Sequence, residues 1–254
     1  MGDADAPADC RRLGTRRPGQ GGRVPAANRG APVKTQVNWY AALRLPVRCA
    51  ALLLTRLTVT GLENVPGKGA FFLIPNHLSI LDPLLVQGFC PRQVHSLTKS
   101  TQFSSGRFSR WVLPRVKAIP TRRYQVDPQA VRTVLRTLDR GEGVCIYAEG
   151  ERSWDGTLQP LRRGTIRLLL KAGVPIVPCG VSGSFEVRPR WGRRFHRGRV
   201  WLRFGEPIRF GVHDTRAERD RALDAATRRI EAALIRLGAE APVPTRGSTG
   251  AKTG

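Results

Sequence analysis

The chain reads as an α/β protein, with a central mixed and mostly parallel sheet flanked by helices. Two observations lead there: short, continuous apolar runs, and segments of helical periodicity lying between them. At 254 residues the chain can bury one sizeable core. Ala70-Phe71-Phe72-Leu73-Ile74, Gly143-Val144-Cys145-Ile146-Tyr147 and the run from Pro175 to Val181 have the length and uniform apolarity of strands covered on both faces. Val200-Trp201-Leu202-Arg203-Phe204 alternates, as a half-buried strand does. Helical spacing appears around 127–140, 160–173 and 215–237. In the last, Ala222, Ala226, Ile230 and Leu234 recur every four residues with Arg and Asp between them.

The ends differ from this middle. Residues 1–36 are mostly Gly, Pro, Ala and Arg with almost no large apolar side chain, and 239–254 are similar. Neither stretch can offset its ordering entropy by burial, so both are expected to be disordered. Residues 37–58 are expected to form an N-terminal amphipathic membrane-contact element ahead of a domain at 59–238. On a helical wheel Trp39, Leu43, Val47, Ala50, Leu54 and Leu57 fall on one side. Arg44, Arg48 and Arg56 fall within roughly 120° opposite. Such a helix suits the headgroup region of an anionic leaflet, and Pro46 would kink or divide it. The alternative is that it packs on the domain with its arginines in water.

Composition narrows the partners. Lys and Arg total 43 against 19 Asp and Glu, a formal charge of +24, so the chain should seek polyanions: a nucleic acid, an anionic membrane or an acidic protein. From Arg188 to Arg203 there are seven arginines and no acid, with Trp191, Phe195 and Trp201 interleaved. That composition serves single-stranded nucleic acid, anionic lipid headgroups or an acidic acyl carrier protein. The five cysteines are irregularly spaced without a Cys-x-x-Cys, which speaks against a disulfide framework or a zinc site and for small buried side chains. No apolar window is long enough for a spanning helix, and the first residues do not read as a secretory signal.

Two segments carry chemistry. Pro75-Asn76-His77-Leu78-Ser79-Ile80-Leu81-Asp82-Pro83 follows an expected strand, so His77 and Asp82 lie at a strand exit, where α/β proteins place their sites. A neutral imidazole can take a proton from an attacking hydroxyl, and a carboxylate on its other nitrogen fixes the tautomer and stabilises the imidazolium. Asp82 before Pro83 can equally be a helix cap with no catalytic part. Ala148-Glu149-Gly150-Glu151-Arg152-Ser153 follows another strand. Gly150 permits close backbone approach, and Arg152 offers a planar fork of donors for phosphate. Glu149 could accept from an acceptor hydroxyl or hold Arg152; a plain glycine turn with a surface ion pair is the alternative. His95, His196 and His213 sit in no motif and read as structural.

Together these segments resemble the glycerol-phosphate and lysophosphatidate acyltransferase family. His77-x4-Asp82 matches its first motif, Glu149-Gly150-Glu151-Arg152-Ser153 its Glu-Gly-Thr-Arg-Ser, and Val174-Pro175-Ile176-Val177-Pro178 its fourth. Ala118-Ile119-Pro120-Thr121-Arg122-Arg123 resembles the intervening motif, whose substrate-binding arginine falls on Arg123, with Arg122 as the alternative; Lys99 looks like the family's basic residue upstream. The likeness covers roughly residues 55–210. It implies His77 as general base, Asp82 as its orienting carboxylate, and Lys99, Arg123, Glu149, Gly150 and Arg152 at the acceptor's phosphoglycerol end. Departures are Glu151 for the usual Thr, Tyr147-Ala148 for Phe-Pro, Arg122 for an Asp, and the absence of an acidic-aliphatic pair after Lys99.

The expected reaction moves a fatty acyl group from acyl-CoA or an acyl carrier protein to the free hydroxyl of lysophosphatidate. Another lysophospholipid, glycerol 3-phosphate, or a catalytically inactive anionic-lipid-binding relative are the alternatives. No bound cofactor or metal is expected, and no acyl-enzyme either, since Gly180-Val181-Ser182-Gly183 is not a nucleophile elbow. The expected partners are an anionic membrane surface, the acyl carrier and the lysophospholipid, and no nucleic acid. Attachment is expected to be monotopic, at the cytoplasmic face of the membrane.

Overall fold

The structure, a computed structural model, describes residues 38–122, 127–211 and 215–241. The expectations for residues 1–36 and for the tail beyond 241 therefore lie outside the described residues, as does His213. The first residues of the expected tail are ordered: Ala239 is buried in the core, and the Glu240 carbonyl accepts from the Leu158 amide at 2.8 Å. The elements run α1 (Trp39–Leu54), β1 (Thr55–Thr60), β2 (Phe71–Pro75), α2 (Asp82–Phe89), β3 (Val94–Lys99), α3 (Arg107–Arg115), β4 (Ile119–Thr121), α4 (Pro128–Asp139), β5 (Gly143–Cys145), α5 (Arg163–Ala172), β6 (Ile176–Ser182), α6 (Ser184–Val187), β7 (Gly198–Phe204) and α7 (Arg216–Arg236). The strands form one seven-stranded sheet in the order β1-β7-β6-β2-β5-β3-β4. Every neighbouring pair is parallel except β6–β7. The sheet is thus mixed and mostly parallel, as the sequence predicts.

The apolar runs are the central strands. Every residue of β2 is buried, and its neighbours β5 and β6 are nearly as enclosed. Such strands need helices on both faces. On one face Val134, Leu138, Ile166, Leu169, Leu170, Leu223, Ala226, Ile230 and Leu234 of α4, α5 and α7 join Phe72, Ile74 and Val144 in a single cluster. The helix starts follow local chemistry. The Asp127 side chain accepts from the amides of Gln129 and Ala130 ahead of Pro128, and Thr215 with Glu218 closes a capping box on α7. Helix α5 begins at Arg163 rather than 160, with Leu161 buried in the preceding loop. Cys90, Cys145 and Cys179 are buried as expected, while Cys49 is exposed and Cys10 lies outside the described residues.

The segment 37–58 departs from expectation. The helix runs through Pro46 without dividing and ends at Leu54, so Arg56 and Leu57 belong to the edge strand β1. Its remaining arginines turn inward. Arg48 Nε donates to the Gly88 carbonyl at 2.7 Å, and Arg44 donates to the carbonyls of Gly88 and Cys90. Those carbonyls lie at the C-terminal end of α2, which cations favour. Val47 packs where Gly88 leaves no room for a Cβ without a 3.1 Å contact. The outward side is consequently apolar, with Leu45 68% and Leu53 70% exposed beside Leu52. Among the described residues no helix is long and apolar enough to cross a membrane.

Candidate active site

The site lies where β2, β5 and β3 end, at the carboxyl edge of the parallel strands. The chain leaves β2 at Pro75 and is first fastened by Asn76. Its side chain donates to the Val181 carbonyl at 2.9 Å and accepts from the Val181 amide at 2.7 Å, extending the β2–β6 pairing by one side chain. His77 follows. Its Nδ1 lies 2.9 Å from Asp82 Oδ2, and its ring stacks at 4.2 Å on Tyr147.

Asp82 is fully buried and its acceptor capacity is filled. Oδ2 also accepts from the backbone amides of Leu78 and Ser79, both at 2.6 Å, and Oδ1 accepts from the Ser184 hydroxyl at 2.6 Å. The alternative of a plain cap is not what forms: helix α2 has no side-chain cap, and the carboxylate turns back into its own loop. With Nδ1 donating to a carboxylate, Nε2 is the basic nitrogen. No hydrogen bond to Nε2 occurs among the described residues.

The second segment braces the first. Glu149 is 3% exposed. Oε1 accepts from the His77 amide at 2.6 Å and Oε2 from the Gln159 amide at 2.8 Å. Burial pushes its carboxyl up to about 8, against the downward pull of those two amides. Both oxygens thus hold main-chain amides. The Ser153 amide donates to the His77 carbonyl at 2.7 Å, a second tie between the loops. Gly150 has φ +79°, and a Cβ there would lie 2.1 Å from Arg162 Nε. Its close approach therefore serves Arg162, which donates to the Glu149 carbonyl at 3.1 Å.

Lys99 ends β3 at this same edge, and no ion pair joins it to a carboxylate among the described residues. Arg123 lies outside the described residues; Arg122 is exposed, and its amide donates to Asp127 Oδ2 at 3.0 Å. Glu151, the departure from the family pattern, is held by Arg190 at 3.0 Å and by Arg162 at 3.7 Å. Arg190 also donates to the Arg152 carbonyl at 2.9 Å and covers the Trp154 ring at 3.6 Å.

Ser184, Arg162 and Arg190 escape a reading of the sequence. Ser184 and Arg190 act across 102 and 38 residues and Arg162 across 13, and only the acid-free run of arginines from 188 to 203 hinted at Arg190. Burial pushes the thiols of Cys90, Cys145 and Cys179 up, so none is a ready nucleophile. His95, at the opposite end of β3, pairs with Glu142 at 3.0 Å. No group of three or more His, Cys, Asp or Glu among the described residues could hold a metal.

Comparison with known proteins agrees with this architecture. The chain is 28% identical over 151 residues to the 1-acyl-sn-glycerol-3-phosphate acyltransferase of Bacillus subtilis, covering 58% of this chain and 70% of that protein. It is 28% identical over 156 residues to 1-acyl-sn-glycerol-3-phosphate acyltransferase alpha of Bos taurus, a match that spans 60% of this chain but only 54% of that relative. The match to the chloroplastic enzyme BAT2 of Brassica napus spans 38% of its length. The crystal structure of the 1-acyl-sn-glycerophosphate acyltransferase PlsC from Thermotoga maritima shares the fold, with a TM-score of 0.63 at 23% identity over 76% of this chain and 78% of that one. Residues 56–182, half of the chain, match the family model described as Acyltransferase, and the chain belongs to that family.

Proposed function

We propose that the protein transfers a fatty acyl group from an acyl thioester to the free hydroxyl of lysophosphatidate, giving phosphatidate. The observation that carries this is the 2.9 Å contact between His77 Nδ1 and a fully buried, four-donor Asp82 carboxylate, which leaves Nε2 as the base. Nε2 takes the hydroxyl proton as the oxygen attacks the thioester carbonyl. The C–S bond then breaks, and the departing sulfur recovers the proton from the imidazolium. Asp82 steadies that cation, and no acyl-enzyme forms. Lys99, Arg152 and Arg162, with Arg123, hold the acceptor's phosphate. Glu149 and Gly150 act by shaping the loop rather than by touching lipid. The donor is acyl-CoA or an acyl carrier protein.

The protein works as a peripheral, monotopic enzyme on an anionic bilayer. The outward apolar side of α1 supports this, as do Phe108 and Trp111 of α3, where Trp111 packs edge-on against Trp39 at 5.4 Å. Ile80 and Leu84, also exposed, flank the His77 loop, so an acceptor could reach the site without entering bulk water. Purified protein mixed with an acyl thioester and lysophosphatidate in anionic vesicles should release thiol only when both the acceptor and His77 are present. Equal release from His77→Ala would refute the assignment.

A further inference from the structure

A second basic feature lies away from His77. β7 runs antiparallel to β6, pairing Trp201 with Ser182. Its first residues therefore sit at the sheet end where β2 and β6 finish, the end that carries His77. β1 joins β7 in register, with Arg56 beside Arg199 and Thr58 beside Trp201. On these strands the opposite face, with Val200 and Leu202, is buried. Arg56 and Arg199 therefore project side by side from the uncovered face.

An open groove of about 540 Å³ lies there, lined by Leu52, Arg56, Leu57, Arg199 and Trp201 together with Thr55 and Thr58. No acid is in its lining, and among the described residues neither arginine makes an ion pair. Like charges on directly opposed strand positions repel, so an unoccupied groove is destabilised and an anion between the two guanidinium groups relieves it.

The surroundings decide which anion. Leu52 lines the groove and belongs to the outward apolar side of α1. Arg197 ties the end of that helix to the same region by donating to the Leu53 carbonyl at 3.3 Å. A guanidinium pair, a Trp and a leucine-rich helix side in continuity match the interface of a lipid bilayer, with charge at the headgroups and apolar atoms beneath.

We infer that Arg56 and Arg199, beside Trp201, bind the phosphate of an anionic phospholipid while Leu52 and Leu53 enter its acyl region, seating the His77 end of the sheet on the membrane. This seat rests on the reading of the protein as a peripheral enzyme on an anionic bilayer, but it is separate from the acceptor site and does not depend on the catalytic proposal.

The test is flotation of the full chain with vesicles of phosphatidylcholine containing a quarter phosphatidylglycerol, and with pure phosphatidylcholine. Two variants carry the same loss of charge: Arg56→Gln/Arg199→Gln in the groove, and Arg193→Gln/Arg194→Gln on the exposed neighbouring loop. Thermal melting establishes that both are folded. The groove variant should lose about tenfold or more in partitioning to the anionic vesicles. The loop variant should lose clearly less, and His77→Ala should bind like wild type. Equal losses from the two double variants would reduce the effect to net charge and overturn the site, as would unchanged binding by the groove variant. If the groove variant keeps its vesicle binding and loses affinity for acyl carrier protein instead, the groove serves a protein and the inference fails.

Discussion

Glu149 holds His77 by its main chain: Oε1 accepts the His77 amide at 2.6 Å while the imidazole leans on Tyr147 instead. The carboxyl is enclosed, and burial lifts it from its ordinary value of 4.5 to about 8. Between those values the folded chain keeps a proton that the unfolded chain has lost. This contribution to stability is therefore complete below about 4.5 and disappears as pH rises through about 8. Its limiting slope is about 1.4 kcal/mol per pH unit.

Glu149→Gln removes the titration. It also leaves one of the two amides facing an NH2 group, at a cost of about 1–3 kcal/mol. Denaturant melts at intervals from pH 5 to 9 should show wild type well ahead of the variant at pH 5 and the gap closing toward pH 8. A gap that stays flat from pH 5 to 9 would mean that Glu149 ionises in the ordinary carboxylate range.

Asp82→Asn separates charge from geometry. The amide oxygen can stay toward His77 and the two loop amides while the NH2 group meets Ser184, so the loop should survive. The negative charge that stabilises the imidazolium is lost. Steady-state kinetics should give a kcat lower by about 10²–10⁴-fold with the acceptor KM little changed. A variant with wild-type kcat would remove Asp82 from the proposed mechanism.

His77 and Asp82 were legible because their relation is local, five residues apart at the exit of an unmistakable strand. The central strands and α4, α5 and α7 were legible because burial on one or both faces leaves a periodic imprint. What surrounds the dyad leaves none. Ser184 reaches Asp82 across 102 residues, and the Arg190 side chain reaches the Arg152 carbonyl across 38. That Glu149 also holds the amides of His77 and Gln159 is not written in its motif, because those partners are set by the folding of two separate loops. In α1 the apolar period was visible but the facing was not. Arg44 and Arg48 look like a solvated side until the open carbonyls of α2 are placed beside them.

Tyr147 offers a test of packing without chemistry. Its hydroxyl is buried with no hydrogen-bond partner among the described residues, and burial pushes the phenol well above its ordinary range. Removing an unsatisfied buried hydroxyl sacrifices no bond and sheds a desolvation cost. Tyr147→Phe should hold or raise the melting temperature, by up to about 1 kcal/mol in stability, and keep the ring under His77. A clear drop in melting temperature would reveal a partner for the hydroxyl.

Gly150→Ala should be costly twice over. The left-handed backbone costs roughly 1–3 kcal/mol for a residue with a Cβ, and that Cβ would displace Arg162 from the Glu149 carbonyl. The acceptor KM should rise with Gly150→Ala and with Arg162→Ala alone. The double variant should be less than additive, since both remove one contact. Full additivity would place Arg162 and Gly150 in unrelated roles.

Glu151 separates loop order from clamp strength. Its carboxylate lies between Arg190 and Arg162 and offsets positive potential beside the proposed phosphate position. Glu151→Gln keeps an oxygen for Arg190 and so keeps the loop tied, but it unmasks that potential. Half-exposed pairs of this kind are worth up to about 1 kcal/mol, so the KM for lysophosphatidate should fall by up to roughly fivefold, with kcat unchanged and a steeper dependence on salt. Arg190→Ala instead loosens the loop from both Glu151 and the Arg152 carbonyl, and should raise the same KM. Opposite signs for the two variants would identify Glu151 as a brake on phosphate binding. A rise in both would make the carboxylate a purely structural tie for Arg190.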